Sequence, residues 1–549
     1  MRTTRDIIAA TGSAVLLAAL LVGVESASAS PSAAPSAEVS IAPAGRGYAT
    51  PKLVDQRTNP PARPITAPDH ATLGLDGKPT GSGLPATTAE SAKPTATGNA
   101  RIPGGPNTGS PGVRPLVPSP TRVNANFDGI NQANSGGSRP SDVNASIGPT
   151  QILQTVNRRI TVYSKAGAQL CTNTLAGWLA LGNTNVFDPR TLYDNLNNRF
   201  IIIATTTGTA GQAPRLFLAA STTGNACATY FIYTLRFGGS LFPTGLLLDY
   251  PYLGQDRFAV LSSTNNFTTT ATGLRYLNST AWSVSKARLY TGAAVSFAAF
   301  AVSPSAAPVT VTGIPIGATA NAFYVAGVSG TGYRLYRMAN TAGPGTTLTL
   351  QATIASAWTG PPRRANQCGT ASTIDPLDGR IVWAPVQAVG SRFVWFTHGQ
   401  NLGGRPGVRW GAINTSTNAV FVANAFHSAT SDDFNPALGA HEVAPNSFNI
   451  WLNWAYTDSR ATVCRNTSMA FNGVLPGGGL PTLAGTDLTL VTGSNTTDDR
   501  FGDYASVHVD PVGVSGTCPA GRTALLAQQY FVSGAWATRL ARISIGSGC

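Results

Sequence analysis

The chain has 549 residues and a formal charge of +13, yet only 11% of its residues are charged, and it carries 59 glycines and 38 prolines. Lysine (five) and glutamate (four) are nearly absent, whereas Gly, Thr, Ser, Val and Asn, which favour turns and strands over helices, are abundant. This balance excludes helical bundles, coiled coils and helical solenoids, argues against an α/β enzyme, and weakens any mechanism that needs two glutamates.

The first element is a secretory signal over residues 1–29. Arg2 and Arg5 precede an apolar stretch from Ile7 to Val24, and Ala27-Ser28-Ala29 forms a small-x-small cleavage site. No later segment reaches the roughly 20 apolar residues of a spanning helix. No membrane span is therefore expected in the mature chain, and the location is secreted, or periplasmic in a two-membrane cell. Residues 30–122 are dense in Pro, Ala, Ser, Thr and Gly. Such a stretch buries too little apolar surface to offset its ordering entropy, which predicts a disordered linker.

Residues 123–549 have a different character. Short runs rich in Val, Ile, Phe, Tyr and Thr alternate with Gly, Asn, Asp and Pro turns, as in Ile160–Tyr163, Phe200–Ala204, Phe323–Val325 and Phe393–Phe396. No stretch sustains an apolar period of 3.6, so the domain is predicted to be all-β. A recurring unit begins near Asp142, Asp188, Asp249, Gly313, Gly369, Asn435 and Asp503, at steps of 46 to 68 residues. In each unit a polar turn, often with Asp and Pro, leads into a small-residue strand, a second turn and a stronger apolar strand. Several strands per repeat of this size predict a β-propeller of about seven blades. Six or eight also accommodate the spacing, because the unit at Gly313 is weak. One blade cannot cover both of its own faces; packing around an axis covers both and leaves only short edges. The strand nearest the axis must be small, as Ala437, Gly439 and Ala440 are. A segment near 124–135, or Arg539–Ile545, is expected to complete a shared blade.

The six cysteines, Cys171, Cys227, Cys368, Cys464, Cys518 and Cys549, form an even set without CxxC pairs or histidines at ligand spacing. Three disulfides in an oxidising compartment follow, with nearest-neighbour pairing (171–227, 368–464, 518–549) expected from fifteen alternatives. The positive charge is diffuse: no run of Lys or Arg in the mature chain exceeds two. Nucleic acid is therefore not an expected partner. A monomer is expected, with an extracellular glycan or a cell-surface protein as partner.

Several motifs together resemble a group of secreted bacterial β-propeller proteins of the sialidase-like superfamily, mostly of unassigned activity. They are Phe127-Asp128-Gly129, Pro140–Asn144, the Asp188-Pro189 to Phe200 element, Asp249–Gly254, Gly407–Trp410, Arg500–Ser506 and Trp536–Arg539. The resemblance covers about 125–549 and implies export and a propeller fold. Members of the group often read Asp-Thr-Asn-Gly-Asp in the first element, a pattern able to hold Ca²⁺. Here Ala145 and Ser146 replace its Gly and second Asp, so no metal site is assigned and Ca²⁺ stays an open alternative to having no cofactor. Arg101-Ile102-Pro103 is similar to a signature near the start of sialidases, but it falls in the linker without strand context.

The chemistry-bearing residues concentrate at the unit starts. Equivalent blades would bring Asp142, Asp188, Asp249, Asp433 and Asp503 to one mouth of an axial channel, with Arg500 and Tyr504 beside them. Converging carboxylates can bind a hydroxylated ligand or a cation, or do acid–base work with a raised pKa. The simpler account has each Asp cap its own turn. The domain's only glutamate, Glu442, reads as a solvated turn residue, and Trp451 and Trp454 as packing between blades. No Gly-x-Ser-x-Gly elbow, phosphate loop or dinucleotide fingerprint occurs. The leading expectation is a binding module for an extracellular glycan or protein. The alternative is a carbohydrate-active hydrolase or lyase using aspartates at the same mouth.

Overall fold

A computed structural model of the chain describes residues 38–59 and 121–549, apart from residues 183, 207–212, 238–245, 271–272, 313–320, 362–363, 389, 446, 461, 463, 475–486 and 547. The signal, residues 60–120 of the expected linker and the weak repeat start at Gly313 lie outside the described residues. Among the described residues the only helices are two short ones, Leu175–Trp178 and Lys286–Thr291, and the rest of the regular structure is β, as the composition predicts.

The strands group into antiparallel modules of four. The first holds Asn144–Ile147, Gln151–Val156, Arg159–Ser164 and Gln169–Thr174. The second holds Phe187–Asp194, Arg199–Thr205, Leu216–Ser221 and Thr229–Phe237, and the third Leu246–Gln255, Ala259–Thr270, Gly273–Ser285 and Val295–Val302. The fourth holds Ala307–Pro308, Asn321–Val328, Gly332–Ala339 and Thr347–Ala355, and the fifth Val386–Ala388, Phe393–Asn401, Pro406–Asn414 and Val420–Ala425. The sixth holds Asp432–Ala444, Ser447–Asp458, Arg465–Val474 and Leu488–Gly493. The seventh combines Ser506–Val509, Thr523–Val532 and Ala535–Ile545 with Thr121–Asp128, which pairs antiparallel to Ala535–Ile545. The segment near residue 124 is thus the strand that shares a module with the C-terminus.

Period-2 alternation sends each strand's side chains to two different cores. In Arg199–Thr205, Phe200 and Ile202 pack with Leu153 and Val162 of the first module, while Ile201 and Ile203 pack with Val260 and Trp282 of the third. The pattern continues around the chain. Leu261 and Phe300 meet Tyr324 and Met338; Val325 and Leu335 meet Val394 and Phe396; Trp395 and Trp410 meet Ile450 and Trp454. Trp451 and Phe471 meet Leu526 and Ala541, so both tryptophans at 451 and 454 are packing residues. Leu525, Phe531 and Trp536 of the seventh module return to Ile147, Ile152 and Tyr163 of the first. Each fully buried aliphatic or aromatic side chain contributes about 1.5–3 kcal/mol, so these inter-module cores are the main stabilising term.

Residues 38–59 correct the linker expectation. Val39–Ile41 pairs with Thr347–Ala355, Gly45–Ala49 with Val295–Val302 and the end of Thr229–Phe237, and Pro51–Asp55 with Thr229–Phe237. The segment lies along the outer edges of the fourth, third and second modules. Composition misses this because an open edge offers backbone donors and acceptors whatever the side chains of the strand that meets it. Gly45–Ala49 and Thr310–Thr312 also join the second, third and fifth modules into one 15-stranded sheet.

All three disulfides follow the nearest-neighbour expectation: Cys171–Cys227, Cys368–Cys464 and Cys518–Cys549. They close loops with sequence separations of 56, 96 and 31. Cross-links of this span restrict the unfolded chain by about 3–5 kcal/mol each in the loop-entropy account.

Candidate acidic site at the strand starts

The first strands of the sixth, seventh, first, second and third modules neighbour one another in that order. Three of the strands carry the same irregularity. Asp188, Tyr250 and Asn435 have φ of 52°, 48° and 49°, each is followed by proline (Pro189, Pro251, Pro436), and the pairing register shifts there. Asp142, with φ of 50°, stands just before Asn144–Ile147 in an equivalent place. Bulges of this kind re-aim side chains. Asp and Asn tolerate the left-handed region through local hydrogen bonds, whereas a tyrosine there is strained.

The re-aimed aspartates meet in one hydrogen-bonded arc. Asp503 donates its amide to Asp142 Oδ1 at 2.8 Å, and Asn157 donates Nδ2 to Asp142 Oδ2 at 2.6 Å. Asn157 Oδ1 then accepts the Asp188 amide at 2.8 Å. The Tyr250 amide donates to Asp188 Oδ2 at 3.2 Å and to Asp249 Oδ1 at 3.0 Å. The arc therefore runs through the seventh, first, second and third modules. Gly502 allows the closest approach, since a Cβ there would stand 2.7 Å from Ser141 Oγ and 3.0 Å from the Asp142 amide.

The arginines and tyrosines complete the cluster. Arg500 Nη2 lies 3.2 Å from Asp503 Oδ2. Arg380 pairs with Asp378 at 2.7 Å and stands 4.8 Å over the Tyr250 ring. The Arg190 guanidinium lies 3.8 Å over Tyr504 and 4.9 Å over Tyr252, and its nitrogens have no hydrogen-bond partner. Arg190 is held by cation–π contact alone, and the Tyr504 hydroxyl is also unpartnered.

Burial and like charge set the electrostatics. Burial pushes Asp142 well above the usual carboxylate range, with Asp503 and Asp188 adding repulsion. Asp188 is raised likewise by burial and then by Asp249, with which it shares a side-chain hydrogen bond. Burial raises Asp249 to about 6, and the bond from Asp188 tempers the rise. Against the burial that opposes its charge, Asp503 and Asp142 hold the Arg500 pKa above its ordinary value.

Of the residues singled out in the sequence, Asp142, Asp188, Asp249, Arg500, Asp503 and Tyr504 come together. Asp433 does not. Its Oδ1 accepts from the His427 amide at 2.8 Å and from Trp454 Nε1 at 2.9 Å, and its Oδ2 from Ser431 Oγ at 2.7 Å. It belongs to a separate group in which His427 Nδ1 meets Asp487 Oδ2 at 2.8 Å and stacks on Tyr456. The bulge after Phe434 puts Asn435 in the position that Asp433 was expected to fill, with Nδ2 bonded to the carbonyls of Gly502 (2.9 Å) and Tyr504 (3.2 Å). Sequence reasoning missed Asn157, Arg190, Tyr250 and Arg380. Arg190 and Tyr250 sit inside the repeated Asp-Pro and Asp-Tyr-Pro elements, which was the available signal; Asn157 and Arg380 had none. Among the described residues, no group of three or more His, Cys, Asp or Glu side chains has the arrangement to hold a metal ion. No described helix is long and apolar enough to cross a membrane.

No family model and no curated protein matches the chain. Among solved structures, a Trypanosoma rangeli sialidase mutant displaying trans-sialidase activity is similar at 9% identity and a TM-score of 0.32, covering 69% of this chain and 56% of that one. The likeness thus spans little more than half the sialidase's length. An exo-β-1,3-galactanase from Phanerochaete chrysosporium, with β-1,3-galactotriose, is similar at 12% identity and a TM-score of 0.28, covering 77% of this chain and 99% of that one. An engineered GH43 glycoside hydrolase with endo-xylanase and exo-arabinofuranosidase activity follows at 10% identity and a TM-score of 0.16, over 74% of this chain and 73% of that one.

Proposed function

We propose that the modules form a seven-bladed β-propeller and that the exported chain recognises an extracellular glycan at the acidic mouth of its axis. Two features support the closed arrangement. Every module shares a core with the next, and the seventh shares one with the first; the Thr121–Asp128 strand completes the last module beside the C-terminal strand. The three disulfides suit an oxidising compartment.

The observation that carries the functional reading is the convergence of Asp142, Asp188, Asp249 and Asp503 from four modules onto one arc. Unrelieved like charge among buried carboxylates costs stability, and such clusters concentrate at functional sites. Carboxylates in an arc accept hydrogen bonds from hydroxyl groups. Arg500 pairs with Asp503, Arg380 with Asp378 and Arg364 with Asp499, and Arg190, without a hydrogen-bond partner, is buried against Tyr504 and Tyr252 at 1% exposure. The excess of carboxyl groups over accessible cations favours a neutral sugar over an acidic one. Recognition is favoured over hydrolysis because the four carboxyl residues are only 2–9% exposed, with Asp503 the most accessible.

Retention of the purified protein on a panel of neutral and acidic polysaccharides tests this reading. Wild type binds a neutral polymer without releasing reducing ends, and Asp503→Asn weakens retention about tenfold, the size of one lost charge-assisted hydrogen bond. A hydrolase is the second reading, favoured by the burial and like charge that raise Asp188 and Asp249 above the ordinary carboxylate range, the direction a general acid needs. Reducing-end release that disappears in Asp188→Asn would establish it. Neither retention nor turnover on any polymer would sink both readings.

A further inference from the structure

The first module holds a cavity of about 270 Å³ where it receives the chain from the seventh and passes it to the second. Ala133 lines it from the entering segment, and Arg158 and Arg159 from the hairpin of Gln151–Val156 and Arg159–Ser164. Thr174 and Val186 line it from the exit. Arg158 follows Asn157, the bridge between Asp142 and Asp188, so the cavity adjoins the acidic cluster along the chain. It shares no residue with that cluster, and the described residues that line it include no Asp or Glu.

Charge is unbalanced here. Arg159 pairs in register with Thr174, and Thr161 with Thr172, so these four side chains share one face of the hairpin. Arg159 Nε donates to Thr172 Oγ1 at 3.0 Å, and Thr172 Oγ1 lies 2.8 Å from Thr161 Oγ1. This bond fixes the guanidinium by its Nε. Arg159 is half-buried. Its Nη1 and Nη2 have no hydrogen-bond partner among the described residues, yet they stay open to water, unlike those of Arg190. No carboxylate among the described residues balances the charge. Burial lowers the Arg159 pKa, and the one group that raises it is the Tyr163 phenol. Burial pushes that phenol up to about 12, so it is uncharged at pH 7. Thr174 Oγ1 accepts the Gly177 amide at 3.0 Å, which leaves the hydroxyl hydrogen to donate.

We infer that this cavity is an anion site, in which the Arg159 guanidinium takes the carboxylate, sulfate or phosphate group of a small molecule. A half-buried charge without a partner is unfavourable, and an anion from solution relieves it. The guanidinium presents paired N–H donors that match two oxygens of such a group. Arg158 adds a second positive charge to the same wall. The volume sits just below the roughly 300 Å³ at which small-molecule sites begin, so an anionic group with one small ring fits and a polymer does not.

Isothermal titration of the purified full-length protein tests the site. Sodium sulfate, phosphate and acetate are titrated separately at pH 7, with sodium chloride adjusted to hold the ionic strength constant, which keeps general screening out of the readout. None of the three carries the sugar hydroxyls sought by the acidic mouth, so this site and the glycan reading fail separately. The expected result is one saturable site for at least one anion, with a Kd of about 1 mM or below. The anion bound most tightly identifies the preferred group. Arg159→Gln weakens binding at least about tenfold. Arg159→Lys keeps the charge without the fork and weakens it less. Ala133→Trp fills the cavity from an exposed position and removes binding with Arg159 in place, which separates a blocked site from a lost fold. Asp503→Asn leaves anion binding unchanged, whatever becomes of glycan retention. Undiminished binding in Arg159→Gln or Ala133→Trp overturns the inference, and so does its loss in Asp503→Asn. The absence of saturable heat at about 10 mM anion, ten times a millimolar Kd, overturns it as well; water alone then solvates the guanidinium.

Discussion

The two ends of the module-leading strands handle buried carboxylates in opposite ways. Where the strands begin, Asp142, Asp188 and Asp249 crowd together and burial raises all three. Where they end, Asp194 is matched by Lys286 and Asp510 by Lys165 and Arg542. Lys286 and its neighbouring hydrogen bonds overcome the burial of Asp194 and hold it below the usual range. The same strands thus carry charge pairing that serves stability at one end and a like-charge cluster at the other. The contrast teaches that the acidic cluster is not a requirement of the fold, because the fold has a satisfied alternative a few residues away.

The largest test removes a matched partner. Asp510→Ala leaves Lys165 and Arg542 without their buried carboxylate and is expected to cost about 3–5 kcal/mol in urea unfolding. The pH dependence comes next. Folded Asp249 holds its proton to about 6, whereas the unfolded chain releases it near 3.8. This contribution is fully present below about pH 4 and is lost as pH rises through about 6, a decline of about 3 kcal/mol that Asp249→Asn abolishes. His427 has the same sign, since Asp487 raises it although burial opposes, but its window opens only at 6.5. Asp194 has the opposite sign: its contribution is lost as pH falls through its lowered value. A smaller effect is expected for Asp188→Asn. The amide keeps a donor toward Asp249 and an acceptor for the Tyr250 amide, so stability at pH 7 should move by less than about 1 kcal/mol. A loss like that of Asp510→Ala would erase the distinction between the two ends. Tyr504→Phe removes a hydroxyl that has no partner and should change stability by less than about 0.5 kcal/mol.

Much of this was legible in the sequence because the relevant signals are local. Alternation in Phe200–Ala204 marks a two-faced strand, and Asp-Pro at 188–189 marks a turn into the next module. Asp142 and Asp188 hold equivalent places in their units, Asp249 stands one residue before that place, and Asp503 joins them through its amide to Asp142. Asp433 was misplaced because the bulge between Phe434 and Ala437 brings Asn435, two residues on, to the cluster instead, and such a shift leaves no mark on composition. Residues 38–59 were misread for a different reason: their partners are edges 170 to 310 residues away, and backbone pairing has little side-chain signature. Asn157 and Arg380 are recruited by tertiary contact alone.

The pairing of Thr121–Asp128 with Ala535–Ile545 has a consequence for biogenesis. The strand synthesised first in the 123–549 domain waits for the strand synthesised last. Until Ala535–Ile545 has been made, that module lacks its central strands and the first module lacks its neighbour. The bond from Cys518 to Cys549 joins the segment before Thr523–Val532 to the segment after Ala535–Ile545, so it clamps the two strands on which Thr121–Asp128 must close.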